Sequence, residues 1–255
     1  MRTIAIVLLC VLLAIILSPA LFWILMMASS IFVDTKKEYT KNSRYCRWLL
    51  NTSTFYACII GRIHLNVSGL EMIPKGTRFE LVGNHTSKFD PILQWYIFRK
   101  YDVAFVSKEE NFHIPFCGRL IRKCCFYAID RKNPANAVKT LTKCENLIKN
   151  DECCIGIYPE GTRGQGDKLL PFHNGIFYVA KNTGVPIVVV ATKGTIDIHR
   201  NFPFRKTEVF IDVVDVIPPE FISSNRTTLI GERVKDSLEK KLYESENSDE
   251  IPCTL

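Results

Sequence analysis

The residues best suited to chemistry lie in one stretch, Asn84-His85-Thr86-Ser87-Lys88-Phe89-Asp90. A neutral imidazole takes up a proton near pH 7 when one ring nitrogen is free and the other is held. Asp90 can hold it by accepting the Nδ1 proton, fixing tautomer and orientation as the carboxylate of a catalytic triad does. Spacing places no Ser or Cys nucleophile beside the pair, so such a base would act directly on a substrate hydroxyl. A purely structural account competes with this: Asp90 precedes Pro91 and suits the cap of a helix.

Three further polar clusters share the same kind of setting. Ser107-Lys108, Asp130-Arg131 and Pro159-Glu160-Gly161-Thr162-Arg163-Gly164 each follow a short apolar run. The last can turn backbone N–H groups towards an oxyanion or phosphate, with Arg163 as a two-point partner. Each alone has a plainer reading: Asp130-Arg131 as a surface pair, the glycine-containing segment as a polar turn.

The elements that must position these residues are strands alternating with helices. The β-like runs are 63–67, 78–82, 103–106, 126–129, 154–158 and 186–191. The unbroken Ile187-Val188-Val189-Val190 is typical of the centre of a parallel sheet buried on both faces. A helix opens at Asn133-Pro134 with Val138, Leu141 and Ile148 on one face. Another opens around Pro91, and a last one carries Ile230, Val234, Leu238 and Leu242. Val209, Ile211 and Val213 alternate with polar residues and predict a more exposed strand near one edge. The fold class expected is α/β, a mostly parallel central sheet flanked by helices. If the four strands preceding the clusters are parallel, all the clusters lie along one carboxyl edge, where open α/β sheets build ligand sites. One base and three cations would then share a crevice, a place to hold an anion and deprotonate something attached to it.

The amino terminus adds a second theme. Residues 4–33 contain no charge, about 30 residues where a spanning helix needs ~20. Pro19 kinks one tilted span or divides the run into two helices that enter and return. Arg2 precedes the run; Lys36, Lys37, Lys41, Arg44 and Arg47 follow it, which places the rest of the chain on the cytosolic side if the run spans. Residues 45–60, with Trp48, Phe55 and Tyr56, suit either an interfacial helix or a core helix. The expected organisation is a membrane segment with its basic flank at 1–44, an α/β domain at 45–245 and a flexible tail at 246–255. An apolar content of 47% excludes a disordered chain, and a net charge of +7 favours an anionic partner. No basic and aromatic repeat points to nucleic acid, so that partner is a membrane lipid. Ten cysteines, with adjacent pairs and no C-x-x-C, indicate buried thiols rather than disulfides or a zinc site. Asn84 heads one of four glycosylation sequons, and a glycan there would block the proposed site, again favouring the cytosol.

With these motifs in order, the chain resembles the glycerolipid acyltransferases, especially the 1-acyl-glycerol-3-phosphate acyltransferases. His85-Thr86-Ser87-Lys88-Phe89-Asp90 is similar to their His-x4-Asp box, and Ala128-Ile129-Asp130-Arg131 looks like the second box. Tyr158-Pro159-Glu160-Gly161-Thr162-Arg163 matches the third, and Val185-Pro186-Ile187-Val188 is similar to the fourth. The likeness covers residues 67–191. Cys125 and Ala128 stand where the second box usually carries Gly and Phe. Phe172-His173-Asn174-Gly175 replaces a Phe-Lys-x-Gly segment.

The resemblance implies transfer of a fatty acyl group from a thioester, on coenzyme A or acyl carrier protein, to the sn-2 hydroxyl of lysophosphatidate, giving phosphatidate. It makes His85 the general base and Asp90 its orienting partner. Arg131, Arg163 and Lys108 would hold the phosphate; Gly161 and Thr162 would shape the turn; Glu160 would order the acceptor or the arginines. No metal or other cofactor is implied. Other acceptors (glycerol-3-phosphate, another lysophospholipid, an amino-acid lipid) stand as alternatives. So do a metal-dependent phosphohydrolase built on His85 and Asp90 and a non-catalytic, membrane-tethered lipid-binding protein.

Overall fold

The computed structural model describes residues 2–165 and 168–243; the tail expected to be flexible lies outside them. Seven strands, β1 (Ile63–Ser68), β2 (Glu80–Gly83), β3 (Val103–Ser107), β4 (Tyr127–Ala128), β5 (Cys154–Ile157), β6 (Ile187–Lys193) and β7 (Thr207–Ile217), form one sheet. Their order is β1-β7-β6-β2-β5-β3-β4. Every pairing is parallel except β6 with β7. The expected fold class is the one observed. The alternating strand β7 lies one position in from the edge, with Val209, Ile211 and Val213 buried between outward-facing neighbours.

The helices are α1 (Arg2–Ile31), α2 (Arg44–Ile60), α3 (Asp90–Ile97), α4 (Cys117–Lys123), α5 (Pro134–Lys149), α6 (Tyr178–Thr183), α7 (Ile198–Asn201), α8 (Pro219–Ser224) and α9 (Thr227–Tyr243). They cover both faces of the sheet. On one, Leu141, Leu147 and Ile148 of α5, Val179 of α6 and Ile230, Val234, Leu238 and Leu242 of α9 pack on Val82, Ile155, Ile187 and Val189. On the other, Leu49 and Leu50 of α2, Leu93 of α3 and Leu120 of α4 meet Leu81, Phe105, Val188 and Val190. Successive side chains of a strand point to opposite faces, so a central strand buried on both sides must be apolar throughout, as β6 is. Gly156 of β5 is required by this packing, since a Cβ there would lie 2.5 Å from the Phe105 ring. Val138 departs from expectation: it is 61% exposed. Thr140 bonds the carbonyl of Ala128, the last residue of β4, at 3.0 Å, so the turn of α5 before it lies beyond the two-residue strand.

α1 is a single helix through Pro19. At 1.5 Å per residue it is about 45 Å long, more than the ~30 Å hydrocarbon core of a bilayer. Among the described residues it is the one helix long and apolar enough to cross a membrane. Ile4, Leu8 and Leu12 are exposed, whereas Phe22, Met26 and Ser30 are buried, with Phe22 packed edge-on against Trp48 at 5.7 Å. α2 satisfies both readings of its sequence: Leu49, Leu50 and Cys58 are buried while Tyr45, Trp48, Phe55 and Ile59 are exposed. Arg47, counted above among the basic residues flanking the membrane segment, is instead buried. It donates to the carbonyls of Val103 and Asp102, both at 2.9 Å, and lies over the Trp95 ring at 4.4 Å.

The start of β2 carries a fully buried carboxyl, Glu80, which accepts the Ala180 N–H at 2.9 Å and leaves its second oxygen unpartnered. Burial, reinforced by nearby Glu145, pushes its pKa up to about 8. The unfolded value is about 4.3. Between those limits the folded state keeps a proton that the unfolded state has released, so stability falls as pH rises through the window. The slope approaches roughly 1.4 kcal/mol per pH unit at most. Glu80→Gln, neutral throughout, should flatten that decline. Urea unfolding of wild type and variant between pH 5 and 8 checks this; parallel pH profiles would show Glu80 to be ionised in the folded protein.

Candidate active site

β2 ends at Gly83, where a Cβ would come within 2.7 Å of the Val190 carbonyl oxygen. Asn84 then continues the β2–β6 ladder with its side chain, donating to the Thr192 carbonyl at 2.9 Å and accepting the Thr192 N–H at 2.8 Å. A side-chain amide mimicking a peptide fixes the point at which the chain leaves the sheet, and His85 is the next residue.

His85 Nδ1 lies 2.9 Å from Asp90 Oδ2. The same oxygen accepts the N–H groups of Thr86 and Ser87, both at 2.7 Å. Two backbone donors fixed on that oxygen leave the imidazole to approach it as a third donor, which places the proton on Nδ1 and leaves Nε2 as a base. Asp90 opens α3 but does not cap it by a side-chain bond. The helix-cap account is replaced by a carboxylate folded back onto the loop. Its other oxygen, Oδ1, accepts from the hydroxyl of Thr195. Asp90 and Thr195 are both fully buried. His85 retains 15% side-chain exposure, and among the described residues nothing bonds its Nε2.

The imidazole plane is held as well. Tyr158 stacks on it at 4.3 Å and 13°. The Tyr158 hydroxyl donates to Gln94 Oε1 at 3.0 Å, and Gln94 Nε2 donates to the Thr192 hydroxyl at 3.0 Å. Burial drives the Tyr158 pKa well above its ordinary value, so the ring remains a neutral phenol. Asn84, Gln94, Tyr158, Thr192 and Thr195 form a polar scaffold around the His–Asp pair whose members come from four separate parts of the chain.

The strand order explains which clusters meet. β2 and β5 are neighbours, so Glu160, just past β5, reaches His85. Its Oε1 accepts the His85 N–H at 2.7 Å and its Oε2 the Leu170 N–H at 3.0 Å. Glu160 is buried, and that burial raises its pKa. With both oxygens on backbone donors it joins two loops; among the described residues it pairs with no arginine. Gly161 adopts φ +64°, and a Cβ there would lie 2.8 Å from the His173 ring. Its N–H goes to the Tyr158 carbonyl at 3.1 Å, and the Gly164 N–H to the His85 carbonyl at 2.8 Å. Two of the turn's four N–H groups are therefore engaged within the protein. Those of Thr162 and Arg163 have no partner among the described residues.

The remaining cations stand along the same edge. Parallel pairing from β2 through β5 and β3 to β4 puts Lys108 and Arg131 at the carboxyl side with His85 and Glu160. Arg131 follows the edge strand, three strand spacings from β2, or roughly 14 Å at ~4.8 Å each. Lys108, Arg131 and Arg163 are all exposed, and among the described residues none pairs with His85, Asp90 or Glu160. Asp130 does not form a surface pair with Arg131: it accepts from Asn136 Nδ2 and from the N–H groups of Lys132 and Asn133, and the bond from Asn136 is the main cause of its lowered pKa. Among the described residues no group of three or more His, Cys, Asp or Glu is placed to hold a metal ion. The described cysteines are all free, and burial raises the thiols of Cys58 and Cys154 to about 11.

Residues 64–193 match the family model described as Acyltransferase. A 1-acyl-sn-glycerol-3-phosphate acyltransferase of Haemophilus influenzae is 30% identical over 166 residues, 64% of this chain and 68% of that protein. The Salmonella typhimurium enzyme of the same name is 32% identical over 142 residues, 56% of each chain; the chain thus matches between about half and two thirds of such relatives' length. Among solved structures, the 1-acyl-sn-glycerophosphate (LPA) acyltransferase PlsC of Thermotoga maritima superposes with a TM-score of 0.64 at 23% identity, covering 96% of this chain and 98% of that one. This last likeness is one of fold.

Proposed function

The chain belongs to the acyltransferase family, and from that premise we propose that it moves a fatty acyl group from a thioester to the sn-2 hydroxyl of lysophosphatidate, forming phosphatidate. The observation that carries this reading is the His85–Asp90 pair, with Nδ1 held at 2.9 Å and Nε2 unpartnered among the described residues. Nε2 removes the acceptor's hydroxyl proton as the oxygen attacks the thioester carbonyl, and Asp90 stabilises the imidazolium that results. Collapse of the tetrahedral intermediate breaks the carbon–sulfur bond, and the imidazolium returns the proton to the departing thiolate. A thiolate leaves readily, so the reaction needs neither a metal nor an acyl-enzyme. The N–H groups of Thr162 and Arg163, unpartnered among the described residues, are the turn's remaining donors for the developing oxyanion. Coenzyme A and acyl carrier protein present the same thioester and both remain donors in this proposal. α1 anchors the site at the bilayer where the lipid acceptor lies, and the basic residues following it orient the domain to the cytosol.

Arg163 and Arg131, with Lys108, bind the acceptor's phosphate. A charge-assisted hydrogen bond contributes ~1.5–3 kcal/mol, so Arg163→Ala or Arg131→Ala should raise acceptor KM by roughly 10–100-fold and leave donor KM little changed. Lysophosphatidylcholine, its phosphate masked, should be a poor acceptor. Glycerol-3-phosphate as the preferred acceptor would replace this reading with its nearest alternative. A rise in donor KM alone would transfer both arginines to the carrier's phosphates.

Thr195 enters as a positioning residue. Its hydroxyl is the side-chain donor to Asp90 Oδ1. Thr195→Val should lower kcat by about tenfold with acceptor KM nearly unchanged, the loss of one hydrogen bond to a charged group. Thr195→Ser, which keeps the hydroxyl, should restore most of it. Equal activity in the Val and Ser variants would show that the contact serves packing alone.

A further inference from the structure

Beyond the His85 constellation, a cavity of about 410 Å³ opens between the segment following β3 and helix α4, lined by Phe112, Ile114, Phe116, Arg119, Arg122 and Thr35. The charged side chains in its lining are two arginines. Arg119 is exposed, and its side chain makes no hydrogen bond or ion pair among the described residues. Arg122 lies over the Phe112 ring at 4.8 Å, and its Nε is buried without an acceptor. The acid facing it is Glu109, 3.8 Å from Arg122 and 3.6 Å from His113, itself largely exposed. One exposed carboxylate, 3.8 Å from Arg122, against two arginines leaves the cavity net positive. A buried guanidinium N–H without an acceptor is costly and calls for one, and a tetrahedral oxyanion offers several oxygens to a pair of arginines.

The surroundings indicate where that anion comes from. Thr35 lies four residues beyond the end of α1, and α4 packs against α1. The cavity therefore opens beside the point where the apolar helix leaves the bilayer. Ile114 lines the cavity and is exposed, as is Phe32 just past the end of α1, so acyl chains could lie along α1 while the phosphate enters the cavity. Lys36 and Lys37 follow Thr35, and Lys41 and Arg44 lie just beyond, against Asp34 and Glu38, so residues 34–44 carry a net positive charge.

We propose that this cavity binds the phosphate of an anionic bilayer phospholipid at a site separate from the catalytic centre. The inference uses α1 as a membrane helix but does not require acyl transfer.

The test is equilibrium binding of dihexanoyl phosphatidylglycerol, neither acceptor nor product in the reaction above, to the purified full chain in detergent micelles. Saturable binding should weaken by about tenfold in Arg119→Ala, whose exposed, unpaired side chain can be removed without disturbing the fold. Arg122→Gln should weaken it similarly, and His85→Ala should bind as wild type does. Unchanged affinity in both arginine variants, or no saturable binding, would overturn the site. Displacement of the lipid by inorganic phosphate or coenzyme A at comparable concentration would assign the cavity to a soluble phosphate and overturn the lipid. Because the probe does not react, a failure here is distinct from a failure of the acyl-transfer reading.

Discussion

His85→Ala is expected to lower acyl transfer by ~10²–10⁴-fold, the usual contribution of a positioned base. The effect should fall on kcat, because the imidazole acts when the acceptor hydroxyl is deprotonated rather than when the lipid binds. The fold should survive. The strand exit depends on the Asn84 side chain and on the His85 backbone, whose N–H and carbonyl bond Glu160 and Gly164, and none of these bonds involves the imidazole. Thermal unfolding and lipid binding measured on the same preparation separate lost chemistry from lost structure. Activity within a few-fold of wild type would remove His85 from the mechanism.

Asp90→Asn is the second substitution with a large expected effect, and its geometry makes it a clean one. The backbone N–H groups of Thr86 and Ser87 point at Oδ2, so an asparagine must present its oxygen there and its NH₂ towards Thr195. The Thr195 hydroxyl can accept as readily as donate, so the loop and the Nδ1–H tautomer persist. What disappears is the negative charge that stabilises the imidazolium. A loss of about 10²-fold or more in kcat, with folding nearly unchanged, is the expected result. An unfolded Asn variant would mean that Asp90 holds the loop chiefly by its charge. A folded and active one would mean that the imidazole needs no counter-ion.

Much of this arrangement is legible in the chain because it follows from local pattern. Apolar runs of strand length alternate with helices, and polar clusters follow four of them. Parallel pairing then places those clusters on one edge, which is where β2, β5, β3 and β4 carry them. What pattern does not supply is which common residues meet across long separations. Asn84 and Thr192 are 108 positions apart, and Thr195 and Asp90 are 105 apart. Asparagine and threonine at loop ends have many local uses, so nothing in their spacing marks them as partners. Glu160 is misleading for a related reason. A carboxylate three positions before Arg163 invites an ion pair, whereas β2–β5 adjacency brings the His85 N–H to it and the segment after β5 brings the Leu170 N–H. Pro19 allows either one kinked span or two shorter helices, and α1 continues through it as one. A membrane-length helix has enough remaining backbone bonds to tolerate the one that proline removes.

The central claim is direct transfer from thioester to lysophosphatidate with His85 as the base. It is tested by incubating the purified full chain with 1-acyl lysophosphatidate and a thioester labelled in its acyl group, then identifying the labelled lipid. The account predicts label in phosphatidate, at the sn-2 position, formed by wild type and nearly absent with His85→Ala. Wild-type protein that binds both substrates but forms no labelled phosphatidate, or His85→Ala that forms it as fast, would contradict the account.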